Sequence, residues 1–241
     1  KECTAEAQQA LLDADCSDCY PQVAIDGDSG TAVLTSSAKE VKLMSLIDGI
    51  FRAILDPIDI GSSGRSPAIS GDSIAVGIPE RVILYEKNLF TETWLQSTTR
   101  LKPETQEFLN EERFGSSVAI DGEIMVVGAP GINVNTGSAY IYQRTQTGSS
   151  SEYAWSQVRK IRRPGGDVLD FGGEVAVKGG LIAIGDPKFG QNGINLFAHG
   201  SKSERGAVFV YSSYESEAYT SRIENTECMR WFGSKVVLTD E

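Results

Sequence analysis

The stretch RFGSSVAIDGEIMVVGAPGINVNTGSAYIYQR, Arg113–Arg144, decides the fold. It reads as strand, tight turn, strand, loop, strand. SSVAI is the first short strand, Asp121-Gly122 the turn, and EIMVV the second strand. Asp-Gly between apolar runs is the strongest short-range hairpin signal. Gly128-Ala129-Pro130 ends the second strand, because proline has no N–H to give to a ladder. A loop containing Gly and Asn then leads to the third strand, SAYIYQR. Each run is short, β-branched or aromatic, and bounded by turn residues. Both faces of the central strand are apolar: Ile124 and Val126 point one way, Met125 and Val127 the other. Such a sheet must pack against a neighbour on each side.

The pattern returns along the chain. VAIDG at Val23–Gly27 recurs as PAISG at Pro67–Gly71, VAIDG at Val118–Gly122, VAVKG at Val175–Gly179 and VVLTD at Val236–Asp240. Equivalent positions Ala24, Ala68, Ala119, Ala176 and Val237 are 44, 51, 57 and 61 residues apart. Steps of this size suit propeller blades carrying loop insertions. Phe-Gly precedes the first strand at Phe114-Gly115, Phe171-Gly172 and Phe232-Gly233. Gly-x-Pro ends the second at Gly77, Gly128 and Gly185. Third strands are aromatic: VILYEK, AYIYQR and AVFVYS. Fourth strands carry Trp94 and Trp155 in like places, followed by a polar–apolar alternation that fits an outer strand with one wet face.

These copies divide the chain into units near 20–62, 63–112, 113–169 and 170–230, with the start of another at 231–241. The fold class expected is all-β: a propeller of four-stranded antiparallel blades, in which stacked sheets cover one another's faces and leave only short edges. A β-sandwich would leave one wet face per sheet. The first unit is degenerate, with Cys19-Tyr20 where Phe-Gly would fall. Four units and a fragment imply part of a longer protein. The chain begins at Lys1 and shows no signal-peptide core, so a processed or truncated chain is expected.

Phe114-Gly115 and Gly128-Ala129-Pro130, held in one unit, resemble the FG-GAP repeat family. The resemblance covers about residues 20–241 and is strongest from 113 to 211. It implies the propeller seen in integrin α heads, seven-bladed when complete, of which this chain would hold four blades and a fragment. It also implies an extracellular or cell-surface, non-enzymatic module that contacts proteins or glycans in an adhesive or structural assembly. Calcium is the cofactor such a family suggests. Here the turns Ser70-Gly71-Asp72, Asp121-Gly122-Glu123 and Lys178-Gly179-Gly180 offer too few oxygen ligands for it. No metal or other cofactor is expected.

Composition narrows the partners. Formal net charge is −11, which opposes a phosphate backbone and excludes nucleic acid as the main partner. No apolar run is long enough for a transmembrane helix. The partners expected are other proteins or further parts of the same chain, with glycans as the alternative. Residues 1–19 form a cysteine-rich lead-in in which AEAQQALLDA can make one short helix. Cys3, Cys16, Cys19 and Cys228 are disulfide candidates, and four cysteines allow three pairings. Zinc is disfavoured because the second pair lacks close spacing, and a redox role because no strand–helix–strand surrounds Cys16 and Cys19.

Chemistry is sparse. The single histidine, His199, lies in a loop insertion, and no nucleophile elbow or phosphate-cradling loop occurs. That insertion, Lys188–Gly206, replaces a connection that is only Gly131–Gly137 in the preceding unit. It brings Lys188, Phe189, Phe197, His199, Lys202 and Arg205 into an otherwise acidic chain, and long loops on rigid scaffolds bind partners. These six residues are the expected partner-binding loop. Two rivals remain: a lectin-like propeller using Trp94 and Trp155 as stacking platforms, and a propeller-based hydrolase or lyase with acids converging on His199.

Overall fold

Strands pair with their neighbours in sequence, one two-residue strand excepted, in the computed structural model. It describes residues 22–35, 40–47, 50–54, 58–59, 66–78, 80–88, 90–102, 113–131, 137–147, 153–164, 170–189, 206–224 and 232–239. The first sheet has the order β1 (Gln22–Asp26), β2 (Thr31–Thr35), β3 (Glu40–Ile47), β4 (Ile50–Ala53), and a two-residue β5 (Ile58–Asp59) adds to β3. The second runs β6 (Ser66–Ser70), β7 (Ser73–Ile78), β8 (Arg81–Lys87), β9 (Trp94–Leu101). The third is β10 (Ser117–Asp121), β11 (Ile124–Ala129), β12 (Ser138–Gln146), β13 (Tyr153–Arg162). The fourth is β14 (Val175–Lys178), β15 (Leu181–Asp186), β16 (Ala207–Tyr211), β17 (Ser221–Glu224). Pairing is antiparallel in all four sheets.

The Arg113–Arg144 stretch folds almost as its sequence reads. The turn sits one residue later than expected: Asp121 is the last residue of β10 and pairs with Ile124, leaving Gly122-Glu123 as the loop. Glycine at the first central position, with φ +56°, is what a two-residue hairpin loop prefers. The Asp121 side chain has another task. Its Oδ2 accepts from the Gly179 N–H in the next sheet at 2.7 Å. Asp26 Oδ2 likewise accepts from Gly71 N–H at 3.1 Å, and Ser70 Oγ from Gly122 N–H at 3.0 Å. One repeated position, just before the turn, thus ties each first hairpin to the next.

The sheets stack in chain order, with β1 beside β6, β6 beside β10, and β10 beside β14. The two faces of β11 enter different cores, as the sequence requires. Met125 and Val127 join Ala75, Val82 and Leu84 of the second sheet. Val126, with Ile124 at its margin, joins Val175, Val177 and Ile184 of the fourth. Phe114 is fully buried between sheets two and three, its ring edge-on to Tyr140 at 5.2 Å. Burying such a ring contributes roughly 1.5–3 kcal/mol.

The glycines explain why these sheets sit so close. A Cβ at Gly77 would lie 2.2 Å from Gly115 O, one at Gly128 2.0 Å from Gly172 O, and one at Gly185 2.0 Å from Gly233 O. The glycine that ends each second strand therefore lies against the Phe-Gly glycine of the following sheet. That second glycine is itself left-handed, at φ +85°, +87° and +84° for residues 115, 172 and 233. A polar latch adds to the joint between sheets two and three. Arg144 reaches Asp72 at 2.8 Å and Glu86 at 2.7 Å, while Trp155 Nε1 donates to Glu86 Oε1 at 2.8 Å. Burial pushes the Glu86 carboxyl above its ordinary range, and the Trp155, Arg144 and Ser73 contacts pull it back only in part.

Both ends of the stack differ from its middle. Val23 and Ile25 on β1 are 43% and 54% exposed, whereas their equivalents Val118 and Ile120 are 6% and 8% exposed. Among the described residues no sheet covers that face of the first one. At the other end, the first strand expected at Val236–Asp240 forms no ladder over 236–239; a single bridge joins Phe232 to Gly206. Val236 and Leu238 still pack on Ala176, Ala183 and Val208 of the fourth sheet. In the other sheets the strand after the turn pairs with the first strand and holds it in place; among the described residues 236–239 has no such partner.

The glycine joint sets a test. Gly128→Ala would drive a methyl into backbone and lower stability by about 1–3 kcal/mol or more. Gly27→Ala, with open space around its Cβ, should change it by less than about 0.5 kcal/mol. Urea unfolding of the two variants measures the difference, and equal midpoints would remove the joint as a structural constraint.

Candidate functional site

The seam between the third and fourth sheets gathers the side chains best placed for contact with another molecule. Four of its cations come from one run, Arg159, Lys160, Arg162 and Arg163, in a chain of net charge −11. The run closes β13, the outermost strand of the third sheet, so strand alternation deals its members to different surroundings. Lys160 turns toward the second sheet and sets its ammonium 4.8 Å from the centre of the Tyr140 ring. Ile161 turns inward to the core shared with the fourth sheet. Arg159 crosses the seam and donates to the backbone carbonyls of Tyr214 and Ser216. Arg162 is exposed.

Arg163 lies just past the strand and is committed to the scaffold. Its Nε donates to Asp186 Oδ2 at 2.6 Å, and the two side chains are 6% and 0% exposed. Asp186 is the middle residue of a Gly-x-Pro whose other copies carry Ile78 and Ala129. A carboxylate at this buried place needs a cation, and its second oxygen, Oδ1, finds no partner. Burial raises the Asp186 carboxyl above its ordinary value, with Arg163 opposing the shift.

This pair supports the base of the long insertion. Asp170, held at φ +84°, donates its N–H to Pro130 O at 2.9 Å and turns its carboxylate to Lys188 Nζ at 2.7 Å. Such a backbone conformation costs about 1–3 kcal/mol for a residue with a side chain, so surrounding contacts must hold it. Phe189 packs edge-on to Phe209 at 5.7 Å, with the guanidinium carbons of Arg163 and Arg222 at 5.1 and 4.9 Å from its ring centre. The Gly206 N–H donates to Phe189 O at 3.2 Å and closes the neck. The insertion therefore leaves and re-enters the fourth sheet at one tied point.

Of the expected partner loop, Lys188 and Phe189 are thus the anchored stem. Phe197, His199, Lys202 and Arg205 lie outside the described residues, as do Cys3, Cys16, Cys19 and Cys228. Trp94 and Trp155 are 8% and 6% exposed, so neither offers an open stacking face. Glu174 pairs with Lys235 at 2.7 Å. Among the described residues no three His, Cys, Asp or Glu side chains gather to hold a metal ion, and no helix is long and apolar enough to cross a membrane.

A groove of about 610 Å³ runs along the seam. One wall is the end of β13, Arg159 to Arg162, and the other is Tyr211 with Glu217, Ala218 and Tyr219 of the β16–β17 connection. Burial pushes the Tyr211 phenol up to about 12, so it stays neutral. Tyr219 stands edge-on to Phe209 at 5.2 Å, which links the groove wall through Phe209 to Phe189 at the loop neck. Sequence reading missed this feature. The available signal was the cation run in an acidic chain; that it met a second wall depended on the stacking of two sheets.

The buried pair gives a pH-dependent test. Arg163→Met leaves Asp186 buried without its cation, at a cost of about 3–5 kcal/mol near neutral pH. The carboxyl escapes that cost by keeping its proton. A carboxyl raised in the folded state loses stability as pH climbs from its unfolded value through its folded one. The deficit of the variant should therefore shrink toward pH 4 and grow toward pH 7, read from urea midpoints. A deficit independent of pH would show that Asp186 does not carry it.

Comparison with known proteins places part of this geometry. Residues 109–142 match the family model for the FG-GAP repeat. No curated protein sequence matches the chain. Among solved structures, the computationally designed Ika8 protein, in one of its crystal packings, is similar at TM-score 0.50 and 10% identity. The match covers 88% of this chain and 50% of that one, so the chain spans half its length. At that identity the likeness is one of fold alone. The matched segment is the one whose Phe114-Gly115 and Gly128-Ala129-Pro130 flank the β10–β11 hairpin and whose glycines meet the sheets on either side, and in these features it is similar to the FG-GAP repeat.

Proposed function

We propose that the chain is part of an extracellular β-propeller that makes protein–protein contacts in an adhesive or structural assembly, without catalysing a reaction. The carrying observation is the repeated joint: four sheets stacked along their first strands, with Gly77, Gly128 and Gly185 set against Gly115, Gly172 and Gly233 from the second sheet onward. A stack built this way is stiff, because every sheet between the ends is buried on both faces. Stiff scaffolds with variable connections suit recognition, since specificity resides in the loops while the frame stays constant. The Val23 and Ile25 face of the first sheet, which no described sheet covers, suits a further blade, as closure of a propeller requires.

The Lys188–Gly206 insertion is the proposed contact element. Its neck is tied where Phe189 O accepts from the Gly206 N–H, and Phe197, His199, Lys202 and Arg205 lie between these two residues in the sequence. The lectin alternative has less support, because both of its tryptophan platforms are packed inside.

Shortening the insertion to the length of Gly131–Gly137 tests this reading. Beads coated with either form would be scored for adhesion to a panel of immobilised extracellular proteins. The expected result is adhesion of the parent to at least one protein, lost in the shortened form at an unchanged urea midpoint. Adhesion that survives the shortening would remove the loop as the contact element. A glycan array scored in parallel would overturn the protein reading if it alone gave binding.

A further inference from the structure

The groove at the seam combines two properties that ordinary surface clefts lack. First, one of its walls is four consecutive residues of an edge strand, Arg159 to Arg162. Side chains of a strand alternate between faces, so four in a row line a groove only along the strand's edge, where backbone groups point outward. β13 pairs with β12, and no described strand pairs with its other side. With ten residues it is the longest strand among those described. Second, the groove is positive at its mouth. Arg162 is exposed and pairs with no carboxylate among the described residues. Arg159 is fixed at the other end by the Tyr214 and Ser216 carbonyls, so its charge is held in place.

We propose that this groove takes an extended acidic peptide of a partner protein, which adds as a strand along the free edge of β13 and sets a carboxylate against Arg162. Backbone pairing supplies affinity in this mode of recognition, and alternate side chains supply specificity. The inward-facing side chains of the peptide meet Tyr219, Ala218 and Pro164, which are neutral. Charge favours an acidic occupant for a further reason. A chain of net charge −11 repels acidic peptides in general, so an acidic peptide binds only where the local field is reversed. Glu217 on the far wall keeps the reversal confined to the β13 side. The inference rests on the protein-contact reading above only in taking the occupant to be a polypeptide, and the residues that line the groove are not those of the insertion.

The competing explanation is protective: cations on an edge strand also discourage unwanted sheet pairing. Fluorescence anisotropy with a labelled octapeptide of alternating Glu and Val separates the two. The expected result is saturable binding that weakens with salt, falls about tenfold or more in Arg162→Glu, and is blocked in Ala218→Trp, whose indole fills the groove. The same Glu-Val octapeptide methylated at every backbone nitrogen has the same charge and no N–H to donate to the strand edge, so it should bind at least tenfold more weakly. The form with the shortened insertion should bind the Glu-Val peptide as the parent does, so loss of adhesion and loss of groove binding are read separately. The proposal is overturned by no binding of the Glu-Val peptide, by equal binding of that peptide and its N-methylated form, by binding unaffected by both substitutions, or by an Arg162→Glu variant that self-associates without any peptide effect. Binding of heparin alone, lost in Arg162→Glu, would assign the groove to a sulfated polysaccharide and overturn the peptide.

Discussion

The contact that the rest of the structure depends on is backbone against backbone, glycine on glycine, from the second sheet onward. At Gly77, Gly128 and Gly185 no room exists for even one methyl group, because a carbonyl of the following Phe-Gly glycine occupies its place. A contact this close brings the buried phenylalanine beside it into the intersheet core, where Phe114 meets Tyr140 and Phe171 meets Phe209. The two short motifs are thus halves of one joint, and each half belongs to a different sheet. Their recurrence has a physical cause: any larger residue on either side would push the sheets apart and open the cores that hold them.

Hydrogen bonds repeat on the same schedule. The residue before each first turn, Asp26, Ser70 or Asp121, accepts from the backbone of the next turn. At Lys178 the series changes character, because an ammonium cannot accept. Lys178 instead faces Asp121 at 3.7 Å, both partly exposed, an arrangement worth little on its own. The glycine joint continues past this point to Gly233, so apolar packing and close approach carry the fourth sheet onward without the strap.

Departures from the repeat concentrate at the seam of sheets three and four. Asp186 stands where the other units hold Ile78 and Ala129, Lys188 starts an insertion, and the strand facing them carries the cation run. A buried carboxylate in a packed joint is costly, and it is retained here with a matched guanidinium and a tied loop neck above it. The seam therefore couples the scaffold to its variable parts: Phe209 touches Phe171 of the joint, Phe189 of the neck and Tyr219 of the groove.

Much of the fold was legible in residue order alone. Period-two patterning, Asp-Gly, Gly-x-Pro and Phe-Gly recur together, and each reports a local preference that acts over a few residues. Strand alternation by itself therefore assigns Met125 and Val127 to one face and Val126 to the other. The turn at Gly122-Glu123 came one residue late because the Asp121 carboxylate serves the neighbouring sheet, a partner that local reading cannot see. The incomplete strand at 236–239 failed for a similar reason: apolar residues suffice to pack it, whereas a ladder needs a paired strand. Trp94 and Trp155 read as outer-strand residues, and only the stacking of sheets decided that they are buried. The groove is the clearest case. Arg159, Lys160, Arg162 and Arg163 are close in sequence, yet strand alternation and the approach of a second sheet send them to a carbonyl pair, an aromatic ring, open solvent and a buried carboxylate. Local order determined the strands, the turns and the spacing of the joints. Which faces close, which charges meet and where a groove remains were decided by contacts between residues well separated in sequence, 23 positions for Arg163 and Asp186 and 55 for Arg159 and Tyr214.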